Sequence, residues 1–307
     1  MAATRKSSTS LRRILHLSDV HFGPKHDAKA ASAVSRLVEE RHPDLVVVSG
    51  DLTQRAKPAQ FAEARAWAEK LPVPCLCVPG NHDVPLYRVW ERLFSPFAAY
   101  GRHFSPDLEP AFGDDEIAVL GFNTATPWTL KNGRIGRRRL LAAPGRFARA
   151  AQGHSGPQAR IAVLHHPLIP GPGTGDQLVV VSAEAIAAML EASNVELVLS
   201  GHLHYGFVVR SDVGFPPRHG RPFWIVHSGT SMSSRGRASE IGTQTANWIE
   251  IRPEAIEVTH LELLSSANRW TARSRHLLPR RAGSSGSIRS NSSPGSPGSP
   301  GAAASAG

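Results

Sequence analysis

Asp19 and His21 sit two residues apart in Leu17-Ser-Asp-Val-His, Asp51 follows Gly50, and Asn81, His82 and Asp83 run together after Gly80. Further along come the pair His165 and His166, then His202 and His204 in Gly201-His-Leu-His. Carboxylate, amide and imidazole are the side chains that bind hard or borderline cations; the set suits manganese, iron or zinc, and its lack of thiolates argues against a structural zinc. Two such ions about 3.5–4 Å apart share a carboxylate, activate a bridging water and hold both oxygens of an in-line phosphoryl displacement. The chemistry these residues could do is therefore two-metal hydrolysis of a phosphoric ester. Taken singly, the pieces are weak: Asp-x-His recurs by chance, and Gly-Asn-His-Asp is ordinary turn composition. Gly-His-x-His is stronger, because two neutral imidazoles beside a glycine have few structural uses. The signal lies in the order of the pieces, each placed after an apolar run.

Such a site needs elements that bring separated pieces together. Arg13–Leu17, Leu45–Val48 and Cys75–Val78 are short strand-like runs. Between them, Ala30, Val34, Leu37 and Val38 recur at helical spacing in 28–41, as do Phe61, Ala64, Trp67, Ala68 and Leu71 in 58–71. This β-α-β-α-β series predicts parallel strands with helices on the sheet faces. Asp19 to Asp51 is 32 residues and Asp51 to Asn81 is 30, each close to one βαβ unit of roughly 30. Carboxyl ends of parallel strands share one sheet edge, so the loops converge. Gly50, Gly80 and Gly201 each precede a ligand-type residue, where the strand must turn and a side chain would crowd the ions. In the second half, 117–122, 161–165 and 195–199 read as strands, and 137–150 and 182–192 as helices. After His204 the pattern is mostly strands, at 207–210, 223–227, 248–251 and 256–263, with turns rich in Gly and Pro. A mixed sheet, or a second sheet packed on the first, follows. Residues 11–265 read as one α/β domain.

In this order Asp19-x-His21, Gly50-Asp51, Gly80-Asn81-His82-Asp83, His165 and Gly201-His202-x-His204 resemble the calcineurin-like metallophosphoesterase superfamily, most closely its bacterial class III cyclic-nucleotide phosphodiesterases. The resemblance implies a four-layer sandwich of two mixed β-sheets flanked by helices, with the metal site at strand carboxyl ends. It implies that Asp19, His21, Asp51 and His204 hold one metal, and that Asp51, Asn81, His165 and His202 hold the other. Asp51 would bridge, and a metal-bridging hydroxide would attack. His82 would contact the phosphate and protonate the leaving oxygen or stabilise its charge. Asp83 would either orient His82 or cap a helix near Leu86.

Other residues carry two readings each. His166 points the other way along its strand and is expected to pack or hydrogen-bond. Asn123 faces substrate or satisfies a turn. Arg134, Arg137, Arg138 and Arg139 form an anion-recognising rim or the solvated first turn of the 137–150 helix. The glycine-rich stretch 171–175 lacks the Lys-Ser/Thr ending of a phosphate loop. Substrate choice is expected in loops 100–115, 125–140 and 167–180.

A net charge of +10 suggests nucleic acid or an anionic surface as partner. Arg5, Lys6, Arg12 and Arg13, with Arg269, Arg273, Arg275, Arg280, Arg281 and Arg289, account for all of it. The central body then reads as neutral, which leaves no strong case for nucleic acid. Residues 1–10 and the basic, then Ser/Gly/Pro-rich, stretch 266–307 are expected to be disordered tails. Cys75 and Cys77 are not expected to pair. No apolar run reaches the length of a signal segment or membrane span, and a cytoplasmic location is the expectation. The function expected is hydrolysis of a small phosphodiester, with a 3′,5′-cyclic nucleotide as first substrate. The alternatives are a nucleotide-sugar lipid pyrophosphatase, a nuclease, a phosphoprotein phosphatase, or a non-catalytic protein that binds anions or nucleic acid. A complete ligand set and a neutral body argue against the last.

Overall fold

The computed structural model describes residues 11–154, 158–172, 179–218 and 220–280. Residues 1–10, the C-terminal Ser/Gly/Pro repeat and most of the 171–175 stretch lie outside them. Strand β1 (Arg12–Leu17), helix α1 (Ala28–Arg41), β2 (Leu45–Val48), α2 (Pro58–Ala68) and β3 (Cys75–Cys77) follow the expected alternation, with the three strands parallel. The Asp27 carboxylate accepts the backbone N–H groups of Lys29 and Ala30 and so starts α1, and His42 ends it in a left-handed conformation. Ala30, Val34, Leu37 and Val38 are buried, as their spacing predicts. Two short helices, α3 (Val89–Phe94) and α4 (Ala98–His103), lead to the edge strand β4 (Ala111–Gly113).

The second half runs β5 (Ile117–Phe122), α5 (Arg137–Ala150), β6 (Ala159–Leu164), α6 (Ala183–Ala192), β7 (Val195–Ser200), β8 (Phe207–Arg210), β9 (Trp224–His227), β10 (Thr245–Ile251), β11 (Ala255–Leu264) and β12 (Arg269–Pro279). One sheet has the order β12-β11-β10-β1-β2-β3, the other β4-β5-β6-β7-β9-β8. Both are mixed: β5, β6, β7 and β9 are parallel, while β4 and β8 are antiparallel edges. Alternation along the strands sorts the core. Val46 and Val48 pack towards α1 and α2, while Leu45 and Val47 face the second sheet. Beyond that sheet Phe122, Ala162 and Leu164 meet Phe147 of α5 and Ile186 and Leu190 of α6. The result is the α/β four-layer sandwich, helix on sheet on sheet on helix. No helix among the described residues is long and apolar enough to cross a membrane.

The basic stretch after residue 265 is not a free arm. Strand β12 hydrogen-bonds along β11, buries Trp270 and Leu278, and receives Arg36 Nη2 on the Asn268 carbonyl at 2.9 Å just before it. The folded body therefore continues to Pro279, and Arg12, Arg13, Arg269, Arg273, Arg275 and Arg280 belong to it. Alternate charged positions on an edge strand look like a tail in sequence, because only one face is apolar. Several of these arginines are neutralised in place. Arg12 meets Asp114 at 2.7 Å, and Arg280 grips Glu196 through Nε and Nη2 at 2.8 and 2.9 Å.

A polar layer closes the inter-sheet core beneath the strand carboxyl ends. His16, Asn247 and His260 are register neighbours across the first sheet, and His227 and Ser200 are neighbours in the second. His16 Nε2 is 2.9 Å from Ser49 Oγ, and His227 Nδ1 donates to the Tyr205 carbonyl at 3.0 Å. Burial pushes His16 down to about 3, and His227 and His260 down to about 4. These rings fold neutral and gain a proton on unfolding, so their contribution is whole above the unfolded value near 6.5 and is lost as pH falls below it.

Two outcomes are expected from this packing. Trp270→Ala should lower the unfolding free energy by about 3–5 kcal/mol in urea titrations, whereas a dispensable tail would leave the midpoint unchanged. Lowering pH from 7 to 5 should destabilise the chain by roughly 2 kcal/mol for each of the three histidines, and a urea midpoint flat across that range would contradict their neutral burial.

Candidate metal centre

The carboxyl ends of β1, β2, β3, β6 and β7 bring the separated pieces to one crevice. Asp19, His21, Asp51, His165 and His204 are all buried, although each is polar or charged. Asp19 Oδ1, His21 Nε2, Asp51 Oδ2 and His204 Nε2 form one set: His204 lies 3.1 Å and His21 3.7 Å from Asp19, and His21 lies 3.8 Å from Asp51. The other oxygen of Asp51 faces a second set. His165 Nε2 stands 3.3 Å from Asp51 Oδ1, 3.1 Å from Asn81 Oδ1 and 3.3 Å from His202 Nδ1. Adjacent ligands around an ion with bonds near 2.1 Å stand about 3–3.4 Å apart, so both sets have the spread of a coordination sphere. Asp51 presents one oxygen to each.

The surroundings aim these atoms inward. His165 Nδ1 donates to the Ser49 carbonyl at 2.8 Å and His204 Nδ1 to the Arg235 carbonyl at 2.7 Å, which leaves the Nε2 lone pairs for the centre. Asp19 Oδ2 accepts the Ser18 hydroxyl and the His202 N–H, at 2.6 and 2.9 Å, and Asp51 Oδ1 accepts the His82 N–H at 2.8 Å. Asp19 Oδ1 and Asp51 Oδ2 are buried without a hydrogen bond among the described residues. Burial, with the neighbouring imidazoles adding to it, holds His21 and His202 well below the ordinary imidazole value. At His165 burial opposes the charged form, but the carboxylates of Asp51 and Asp19 outweigh it and raise the pKa. The crevice thus attracts positive charge, and the residues fit divalent cations.

Backbone strain marks the same residues. Asp19, His21, Asp51, His202 and His204 all have positive φ, between 49° and 83°, a left-handed conformation that non-glycine residues adopt rarely. The glycines are needed for close approach. A Cβ on Gly50 would lie 2.5 Å from the His165 ring, one on Gly80 2.2 Å from Asp51 Oδ1, and one on Gly201 1.7 Å from Ser18 Oγ. At Gly50 and Gly80 such a Cβ would displace a ligand-type side chain, and at Gly201 the serine whose hydroxyl holds Asp19.

Asp83 acts differently from either expectation. Its oxygens accept the N–H groups of Leu52, Thr53 and Gly80, at 3.0, 2.8 and 2.9 Å, and the Thr53 hydroxyl at 2.9 Å. It clamps the loop carrying Asp51 to the loop carrying Asn81. Burial, then the charge of Asp51, pushes its carboxyl up to about 7 against those donors. No helix begins near Leu86 to be capped; α3 starts at Val89. His82 is oriented by Gln54 instead: its Nδ1 donates to the Gln54 carbonyl at 2.9 Å, and Arg235 Nη1 approaches its Nε2 at 3.3 Å.

A cleft of about 300 Å³ opens above the two sets, lined by Gln54, Arg55, His82, Leu86, Leu130, Lys131, Arg235 and Arg237 among others. The sequence reading missed Arg55, Arg235 and Arg237. Ser234-Arg-Gly-Arg has no strand before it and no metal-ligand type within it, so only its charge pattern could have drawn notice. Among the described residues of the loops expected to choose the substrate, only those of 125–140 reach the cleft, through Leu130 and Lys131. The Arg134–Arg139 cluster stays outside it: Arg137 and Arg138 are exposed at the start of α5, and Arg139 holds Glu109 and the Asn123 carbonyl. Asn123 satisfies a turn, accepting the Ala125 N–H at 2.9 Å. His166 is hydrogen-bonded to Thr124 Oγ1 at 2.7 Å, and its ring lies 4.7 Å from that of His202.

Residues 12–206 match the family model described as calcineurin-like phosphoesterase. The chain belongs to that family. Membership makes the matched domain a metal-dependent phosphoric ester hydrolase. A probable cyclic nucleotide phosphodiesterase of Synechococcus is 29% identical over 182 residues, which cover 58% of this chain and 64% of that protein. A cAMP/cGMP dual specificity phosphodiesterase of Mycobacterium tuberculosis is 26% identical over 267 residues, 79% of this chain and 77% of that one. Among solved structures, a purple acid phosphatase from yellow lupin superposes with a TM-score of 0.64 at 13% identity, over 88% of this chain and 54% of that one. A dimetal phosphatase from Danio rerio superposes with 0.56 at 12% identity, over 81% of this chain and 95% of that one. These structures share the sandwich fold.

If Asp83 braces the calcineurin-like centre, Asp83→Ala should weaken Mn²⁺ binding by roughly 10–100-fold in calorimetric titrations, with circular dichroism unchanged. Wild-type affinity in that variant would show that the two loops hold their positions without the clamp.

Proposed function

We propose that this chain hydrolyses a phosphodiester, and that a 3′,5′-cyclic nucleotide is its substrate. The observation that carries the reading is Asp51, whose two oxygens face two separate donor sets at the floor of one cleft. Asp19, His21 and His204 would complete one cation site, and Asn81, His165 and His202 the other. A pair of divalent cations supplies Lewis acidity and an activated water to such a cleft. The protein's own groups do the rest. The inner end of the cleft is walled by His82 and Arg235, which converge within 3.3 Å of each other. Arg235 Nη1 is placed to donate to a non-bridging phosphoryl oxygen. His82, held through Nδ1 by Gln54, turns Nε2 towards the leaving oxygen. The cyclic-nucleotide assignment is supported by the printed activities of the relatives from Synechococcus and Mycobacterium tuberculosis. The ligand types accept manganese, iron or zinc alike.

The test is Mn²⁺-dependent hydrolysis of bis-p-nitrophenyl phosphate and of cyclic AMP. Chelation should abolish both and added Mn²⁺ should restore them. Asp51→Asn should lose more than the roughly 10–100-fold expected for a group that only braces a ligand. Undiminished turnover in Asp51→Asn would end the two-site reading, and turnover of the synthetic diester without cyclic AMP would end the substrate assignment.

A further inference from the structure

The cleft has a wall that the scissile phosphate does not account for. Arg55, Lys131, Arg235 and Arg237 line it, and none of the four pairs with a carboxylate within 4 Å among the described residues. Elsewhere several arginines are met in place: Arg12 by Asp114, Arg139 and Arg146 by Glu109, Arg280 by Glu196, and the buried Arg92 by the Pro85 and Pro127 carbonyls. The acid closest in sequence to the Arg-Gly-Arg turn is Glu240, and its carboxylate is engaged elsewhere. It accepts the Gly206 N–H at 2.8 Å and the Thr245 hydroxyl at 2.6 Å.

The wall is built rather than left loose. The Arg237 N–H donates to the His204 carbonyl at 3.0 Å, and the Arg237 carbonyl accepts the Glu240 N–H at 2.8 Å. A Cβ on Gly236 would lie 1.9 Å from the Glu240 carbonyl oxygen, so the turn between the two arginines needs glycine to pack down. On the opposite side the Arg55 guanidinium is held over the Tyr87 ring, 5.5 Å from its centre. Burial acts most against the charge of Arg235, Asp51 and Asp19 favour it, and Arg237 and Arg55 add to the opposition. Like charges around one cleft repel, and an anion arriving among them relieves that repulsion.

A cyclic nucleotide brings one negative charge, which the cation sites and Arg235 already face. We propose that Arg55, Lys131 and Arg237 form a second anion subsite, which takes a phosphate monoester carried by the substrate in addition to the diester that is cut. The substrate class that fits is a nucleotide diester with a terminal phosphate, and a cyclic nucleotide fills the scissile subsite alone. The inference rests on the phosphodiesterase reading for the scissile group.

Two chromogenic diesters with the same leaving group separate these ideas: thymidine 5′-(p-nitrophenyl phosphate) and its 3′-phosphorylated form. The Mn²⁺-loaded wild type should show a KM about tenfold lower for the phosphorylated form, the scale of one added charge-assisted hydrogen bond. An Arg55→Gln/Arg237→Gln double variant should bring the two KM values within about twofold of each other. Equal KM values in the wild type, or a preference that survives in the double variant, would overturn the subsite. If neither diester is cut, the phosphodiesterase reading fails, and the subsite is then judged by calorimetry on the same Mn²⁺-loaded proteins. Thymidine 3′,5′-bisphosphate binding about tenfold tighter than thymidine 5′-monophosphate, in the wild type but not in the double variant, supports it. Equal affinities in the wild type refute it.

Discussion

Two carboxylates and four imidazoles are packed out of water within a few ångströms of one another, and this buried donor cluster is the demand the rest of the structure serves. Asp19 and Asp51 keep one oxygen each without a hydrogen bond among the described residues. Uncompensated burial of a charged oxygen is strongly unfavourable. The backbone at Asp19, His21, Asp51, His202 and His204 is left-handed, and each such position costs of order 1–3 kcal/mol. No arrangement of these residues with one another repays that. Cations held in the two donor sets would, because they would meet the orphaned oxygens and the aligned lone pairs together.

The sandwich holds the cluster against its own strain by cross-linking the two sheets where the strands end. The His165 ring donates to the Ser49 carbonyl on the first sheet, the His202 N–H reaches Asp19 on the first sheet, and the Ser231 N–H reaches the Ser18 carbonyl. Asp83 adds a tie between the loops after β2 and β3. Below these ties the neutral layer of His16, Asn247, His227 and His260 replaces apolar packing with hydrogen-bond geometry. Hydrophobic contacts tolerate sliding, whereas a ring hydrogen-bonded at both nitrogens, as His16 is to Ser49 and Asn247, does not. The Asn247 amide reaches the His227 carbonyl at 3.4 Å and so ties the two sheets just under the candidate ligands.

The convergence of the donor residues was legible in the sequence because its parts repeat one construction: a buried strand, a glycine turn and a donor. Apolar β-branched runs such as Leu45–Val48 and the spacing of Ala30, Val34 and Leu37 gave the layers away, and βαβ geometry then forced the loops together. Elements lacking that construction were hidden. Helices α3 and α4 are six residues each, too short to show a period. Strand β12 interleaves arginines with Trp270 and Leu278 and so reads as a basic arm. The role of Asp83 could not be read either, since an acid beside a histidine suggests a partner for that histidine. Only the folded chain shows the Leu52 and Thr53 N–H groups closer to hand. Arg235 escaped for a different reason. It is placed by its own carbonyl, which His204 holds, so its location is a consequence of a ligand 31 residues away.

That last dependence separates what the centre recognises from what the cleft recognises. The donor sets come from strand ends and see a phosphoryl group, which every phosphoric ester shares. The discriminating groups come from connections of no fixed pattern: the turn after Asp51, the segment at Leu130 and Lys131, and the Arg-Gly-Arg turn between β9 and β10. Since His204 is tied to that turn through both the Arg235 carbonyl and the Arg237 N–H, movement of the cationic wall is felt at one of the buried donors. A substrate anion that draws Arg237 inward would therefore also bear on His204, so binding energy gained away from the scissile bond can be used to set the reacting geometry. The chemistry is common to the family, but its alignment in this chain depends on a turn that only the substrate's outer groups can reach.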